Sequence, residues 1–178
     1  MMTNDPQPLA THRLRLFVAE VAVLARFRDA VPLARIYALT AAARCLVLPF
    51  DEDVQDALHR RIGTGDWPET VTHALSTTDM AFAAQLSDAG PLAYIETDYT
   101  GAAGTQMAAL WRAGRLAIPP LTIDTAAALA RPPAVWPINA ALRALAIEAS
   151  PPNDEFTAFG LRNWTSNAEI HAHARRIA

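Results

Sequence analysis

The sequence predicts an α+β fold: a single domain in which a mixed or mainly antiparallel sheet is covered by helices. Three observations lead there. Short apolar runs with a period of two recur along the chain, as half-buried strands require. Between them lie stretches with apolar residues three and four apart, opened by capping residues and closed by glycine or proline. From residue 92 onward, strand-like runs follow one another, and this order of elements suggests a mixed or antiparallel sheet covered by helices. At 178 residues the chain is long enough for one domain and short for two.

The elements follow in order. Residues 1–12 are polar and proline-bearing and are expected to be disordered, leaving 13–178 as the domain. In "RLRLFVA", Leu14, Leu16 and Val18 alternate with Arg13, Arg15 and Phe17, a strand pattern. "EVAVLARFRDAV" places Val23, Leu24, Phe27 and Val31 on one helical face, and Pro32 ends it. "ARIYAL" and "RCLVLPF" read as short strands joined by "TAAA". Asp51 is placed to cap "EDVQDALHRRI", with Val54, Leu58 and Ile62 as its stripe and Gly63 beyond its end. "GTGDWPETVTH" is a loop by composition. Ser76 and Asp79 have the spacing of a capping box ahead of "TDMAFAAQLSDA", which Gly90 closes. Strands are expected over 92–99 and 105–112, with a third after "AGR". The five prolines between Pro119 and Pro137 predict mainly connection, with a short strand at "LTID". Pro137 opens "INAALRALAI", with Ile138, Leu142 and Leu145 facing the core. A last helix, "AEIHAHARRI", is capped by Ser166 with Glu169.

Composition removes several functions. The apolar fraction of 52% includes 38 alanines, so the working core is the Leu, Ile, Val, Phe and Trp subset. All 15 basic residues are arginine, a bias that suits a GC-rich bacterial genome. Without lysine there is no standard P-loop, no pyridoxal-phosphate Schiff base and no kinase strand lysine. A net charge of −3 with scattered arginines gives no footprint for nucleic acid. The lone Cys45, inside "CLVLPF", reads as a small buried hydrophobe. No run approaches a membrane span, and the N-terminus lacks the order of a signal peptide, so a soluble cytoplasmic protein is expected. No cofactor or metal is expected.

Polar information concentrates in "YIETDYTGAAGTQMAALW", residues 94–111. As a strand it puts Tyr94, Glu96 and Asp98 on one face and Ala93, Ile95 and Thr97 on the other, the carboxylates about 6.6 Å apart along the chain. With "TGAAG" as the connection, Asp98 pairs with Gln106 and Glu96 lies opposite Ala108. Three readings compete with a plain solvated face whose glycines only serve the turn. A phosphate cradle is weak, since Gly101 and Gly104 make only GxxG. A Glu96/Asp98 acid–base pair has a spacing compatible with hydrolysis. Carboxylates alone can also hold Mg²⁺ or Ca²⁺, without a local histidine here. His171 and His173 diverge on a helix, while Glu169 and His173 share a face as an exposed pair. His59 falls on an exposed face, and His12 and His73 in loops. In "DEFTAFGLRNW", Asp154 and Glu155 precede Phe156 and Phe159, and Arg162 and Trp164 have a pattern that can stack a guanidinium on an indole. The bland reading is a terminal segment pinned by aromatic anchors.

These two stretches, with "INAAL" between them, resemble a group of small bacterial proteins of unassigned function. That group carries A-Y-I-E-T-D-Y-F-G-G-x-G-x-Q, then I-N-x-A-L, then D-E-F-x-x-x-G-L. The match runs through Ala93–Tyr99, Gly101, Gly104, Gln106, Ile138, Asn139, Ala141, Leu142, Asp154–Phe156, Gly160 and Leu161, and departs at Thr100 and Ala102. It covers about the C-terminal half and implies an immunity-type or other interaction protein. The expectation is therefore a protein-binding module, neutralising a toxin, with Tyr94, Glu96, Asp98, Tyr99, Gln106, Asp154, Glu155, Arg162 and Trp164 as binding residues. The competing class is a hydrolase using Glu96 and Asp98, with or without a divalent metal.

Overall fold

The period-two pattern around Leu14, Leu16 and Val18 forms β1 (Thr11–Glu20), the middle strand of a seven-stranded sheet. The computed structural model describes residues 11–41, 44–68 and 75–177. The other strands are β2 (Ile36–Ala38), β3 (Cys45–Pro49), β4 (Leu92–Thr100), β5 (Ala103–Arg112), β6 (Arg115–Asp124) and β7 (Arg175–Ile177), in the order β6-β5-β4-β1-β3-β2-β7. Every pairing between these strands is antiparallel. The helices are α1 (Val21–Ala30), α2 (Glu52–Ile62), α3 (Thr77–Leu86), α4 (Thr125–Leu129), α5 (Pro137–Ala144), α6 (Glu155–Ala158) and α7 (Asn167–His173). This is the expected single α+β domain.

Both faces of the sheet are covered. One face packs Phe17, Tyr94, Met107 and Trp111 against Val23, Leu24 and Phe27 of α1, Val54 and Leu58 of α2, and Phe82 and Leu86 of α3. The other packs Leu14, Leu16, Val18, Ile95 and Leu110 against Ile138 and Leu142 of α5 and Ile170 of α7. Ser76 and Asp79 form the reciprocal capping box at α3, satisfying two backbone donors that a helix start leaves open. Cys45 is buried, as expected.

The structure corrects five sequence expectations. β1 begins at Thr11, so Thr11 and His12 are strand residues, while residues 1–10 lie outside the described part. Residues 63–68 have no regular structure, as expected of the loop, and His73 lies outside the described residues. The β4–β5 connection is only Gly101–Ala102, with Thr100 opposite Ala103. The register therefore sets Asp98 opposite Thr105, Thr97 opposite Gln106 and Glu96 opposite Met107. A slip of one residue exchanges faces, so Gln106 leaves the carboxylate face and joins Thr97 and Ile95. β6 runs straight through Pro119 and Pro120, where its register against β5 shifts. An outermost strand tolerates proline because one row of its N–H groups has no ladder partner. Finally, the last helix stops at His173, and Arg175–Ile177 form β7 on β2.

Gly104 is required for packing rather than for a ligand. A Cβ there would run into the Asp98 carbonyl and lie 2.6 Å from Tyr99 Cα, so the hairpin would have to part. Gly104→Ala is expected to cost about 1–3 kcal/mol, as overpacking does. Chemical denaturation checks this, and an unchanged midpoint would refute the close approach.

Candidate functional site

Where β3 ends, β1 continues, and its free backbone is taken by the segment before α7. Arg13 N–H donates to Thr165 O at 2.7 Å, and Arg15 N–H donates to Asn167 Oδ1 at 3.0 Å. A cleft of about 360 Å³ opens at this junction, lined among others by Arg13, Arg15, Asp51, Glu52, Glu96 and Asp98. Four of these six charges come from two strands of matching period, and Asp51 and Glu52 from the start of α2. Arg13 lies opposite Asp98 and Arg15 opposite Glu96.

The two pairs differ in environment. Arg13 Nε donates to Asp98 Oδ1 at 2.8 Å, with the side chains 65% and 57% exposed, so water screens the contact. Arg15 reaches inward. Its Nε donates to Tyr94 Oη at 3.2 Å, its Nη2 donates to Gln55 Oε1 at 3.0 Å, and its guanidinium lies 5.6 Å from the Phe50 ring centre. Tyr94 O–H in turn donates to Glu96 Oε2 at 2.9 Å. Tyr94 is fully buried, which corrects the expectation of a solvated face. Burial pushes its phenol well above the ordinary value. Burial likewise raises Glu96, aided by Asp98 and opposed by the Tyr94 hydroxyl and Arg15.

The network continues under α2 and α3. Gln55 Nε2 donates to Asp79 Oδ2 at 2.8 Å, and His59 Nε2 meets Asp79 Oδ1 at 2.8 Å. His59 is thus a nearly buried partner, 10% exposed, rather than the exposed residue expected. Ser76 Oγ lies 3.3 Å from the same His59 nitrogen. A serine–histidine–aspartate relay needs the serine and the carboxylate on opposite ring nitrogens, so this trio is a structural pin. A second histidine has the opposite arrangement. His171 Nε2 meets Asp51 Oδ2 at 2.6 Å and its Nδ1 meets Tyr37 Oη at 2.8 Å. Asn167 Nδ2 donates to Asp51 Oδ1 at 2.7 Å. These contacts explain why the Asp51 side chain does not cap α2. They tie α2, α7 and β2 behind the cleft.

The remaining expected residues lie elsewhere. Tyr99 and Gln106 share the opposite face, where Gln106 Nε2 donates to Tyr99 Oη at 3.3 Å. Asp154 caps α6, accepting from Thr157 N–H at 2.9 Å and from Asn139 Nδ2 at 3.1 Å. Burial opposes ionisation of Asp154, but those hydrogen bonds hold its carboxyl below the usual value. Glu155 is buried and paired with Arg143 at 2.6 Å. Trp164 packs on the second core cluster, and among the described residues the guanidinium found over an aromatic ring is that of Arg15, so no Arg162–Trp164 stack forms. The expected binding residues therefore fall into two clefts on opposite faces and a set of structural pins.

Sequence reasoning missed Arg15, Gln55, Asp51, Asn167 and His171. One signal was available: "RLR" and "ETD" carry opposite charges at the same strand spacing. Among the described residues no three His, Cys, Asp or Glu side chains gather where they could hold a metal ion. Nor is any described helix long and apolar enough to cross a membrane. Comparison with protein-family models, with curated proteins and with solved structures finds no match to this chain.

Proposed function

We propose that the protein is a protein-binding module whose partner places a basic side chain in the cleft between β1, β4 and the start of α2. The observation that carries this reading is the charge count of the lining: Asp51, Glu52, Glu96 and Asp98 against Arg13 and Arg15. Both arginines already donate within the chain, to Asp98 and to Tyr94 and Gln55. An incoming cation meets the surplus carboxylates. The resemblance to small bacterial proteins of unassigned function, which implies an immunity-type or other interaction protein, supports a toxin as that partner. The test is affinity capture from the native host, followed by titration of the purified partner with wild-type, Glu52→Lys and Asp98→Lys proteins. Affinity should fall in both variants, and the wild-type affinity should fall between about 50 and about 300 mM salt, mainly through a slower on-rate. A partner indifferent to both substitutions would overturn the reading.

The hydrolase reading keeps one observation in its favour, the raised Glu96 carboxyl in a concave cleft. Against it, Glu96 is held by Tyr94 and Asp98 by Arg13, so the two carboxylates have separate partners rather than a shared proton. Glu96→Gln tests whether burial dominates at this carboxyl and carries a pH signature. A carboxyl raised in the folded state contributes stability below its unfolded value of about 4.5 and loses it as pH rises through the folded value. The glutamine variant escapes that loss. Its melting temperature is expected to exceed that of wild type at pH 7, with the gap closing toward pH 4. A lower melting temperature at pH 7 would mean that attraction to Arg15 outweighs burial.

Nucleic acid is not the expected partner. Given a net charge of −3, anisotropy titrations at about 150 mM salt should show no saturable binding to DNA or RNA, and micromolar affinity would contradict this.

A further inference from the structure

The opposite face of the sheet carries a second cleft, of about 260 Å³, between the β4–β5 hairpin end and the α5–α6 region. Four of its eleven lining residues are rings, His12, Tyr99, Trp136 and Phe156, and Ile138 adds a fifth apolar wall. The His12 and Phe156 ring centres are 5.7 Å apart. Trp136 Nε1 donates to the Ala128 and Arg131 carbonyls, so its polar atom is already satisfied. The volume lies below the roughly 300–1,000 Å³ of drug-sized sites, which fits one ring with a short substituent rather than a peptide segment or a nucleotide.

The charges around the rings are unequal in availability. Asp154 has one hydrogen bond on each carboxylate oxygen, fixed by the α6 cap and by Asn139. Burial holds the His12 imidazole below its ordinary pKa, against the pull of the Leu161 carbonyl, so it is no fixed cation. Its Nδ1 meets Thr97 Oγ1 at 2.8 Å, and its solvent-shielded Nε2 has no hydrogen-bond partner of good geometry. Gln106 is buried, and its amide nitrogen is directed to Tyr99. Arg162 also lines the cleft. The two arginines of the acid-rich cleft donate to partners, Arg13 to Asp98 and Arg15 to Tyr94 and Gln55. Among the described residues, Arg162 makes no such contact. A guanidinium without a partner beside an aromatic-walled cavity matches a carboxylate, which it binds through two parallel N–H donors.

We propose that this cleft is a binding site for a small aryl monocarboxylate, with the ring among Trp136, Phe156 and Tyr99 and the carboxylate on Arg162. The site is independent of the acid-rich cleft on the other face. Phenylacetate is the probe, with phenylacetamide and phenethylamine as its neutral and cationic counterparts. Each is titrated into the full chain and followed by amide and side-chain NMR shifts at Gln106 and Trp136. Phenylacetate should give saturable shifts there, with the amide weaker by about tenfold or more and the amine weaker still. Arg162→Gln, at an exposed position, should keep the wild-type melting temperature and reduce the acid to the level of the amide. Equal binding of acid and amide would overturn the proposal, as would tighter binding of the amine, no saturable shift for the acid, or unchanged acid affinity in Arg162→Gln. A peptide ending in phenylalanine is the last arm. Binding no tighter than phenylacetate supports a free small molecule, and binding more than about tenfold tighter would reassign the site to a chain terminus.

Discussion

Asp79→Ala is expected to lower the unfolding free energy by about 3–5 kcal/mol, the range for removing one member of a buried, hydrogen-bonded charged group. The Asp79 side chain is wholly buried and accepts from Gln55 Nε2, His59 and the Ser76 backbone N–H. Its loss orphans three donors at once, two on α2 and one at the start of α3, each worth roughly 1–3 kcal/mol when left unsatisfied. It also removes half of the α3 capping box. Through Gln55 the damage reaches Arg15, so the acid-rich cleft should loosen as well. Urea denaturation measures the first effect. A cost under about 1 kcal/mol would show that water replaces the lost carboxylate and that the network is not a structural pin.

Ile95→Ala comes next, at about 2–5 kcal/mol for truncating a large buried side chain. Ile95 is fully buried, lies opposite Leu16 on one side and Ala108 on the other, and belongs to the cluster under α5. Its control stands three residues along the same strand. Asp98 is 57% exposed and holds only the screened contact to Arg13, so Asp98→Asn should stay within about 0.5 kcal/mol. Similar costs for both would contradict the face assignment of β4.

Local chemistry was legible in the sequence. The Ser76–Asp79 box, the end of α1 at Pro32, the start of α5 at Pro137 and the alternation along β4 each depend on neighbours within a few residues, and each is found in the structure. The β4–β5 register failed because Ala103 and Gly104, read as turn, extend the strand, and one residue is enough to exchange faces. β6 was cut short because the penalty for Pro119 and Pro120 depends on whether a strand is outermost, and no local pattern reports that. The cleft was half visible. Glu96 and Asp98 stood out, but what holds them lies far away in sequence: Arg15 is 79 residues from Tyr94, and Asp51 is 120 from His171. Periodicity places a residue on a face without saying which distant strand or helix covers it.

The outermost strands decide whether this sheet can recruit a second molecule. Along β6, Pro119 and Pro120 remove two backbone donors and lie where the register shifts, so an incoming strand finds an interrupted template. At the other margin β7 is three residues long, and Arg175 and Arg176 are both exposed, so two copies brought edge to edge set like charges against each other. Neither margin supports intermolecular sheet growth. The guard against fibril-like stacking of this sheet therefore sits at its edges, in two prolines and two arginines, rather than in the net charge.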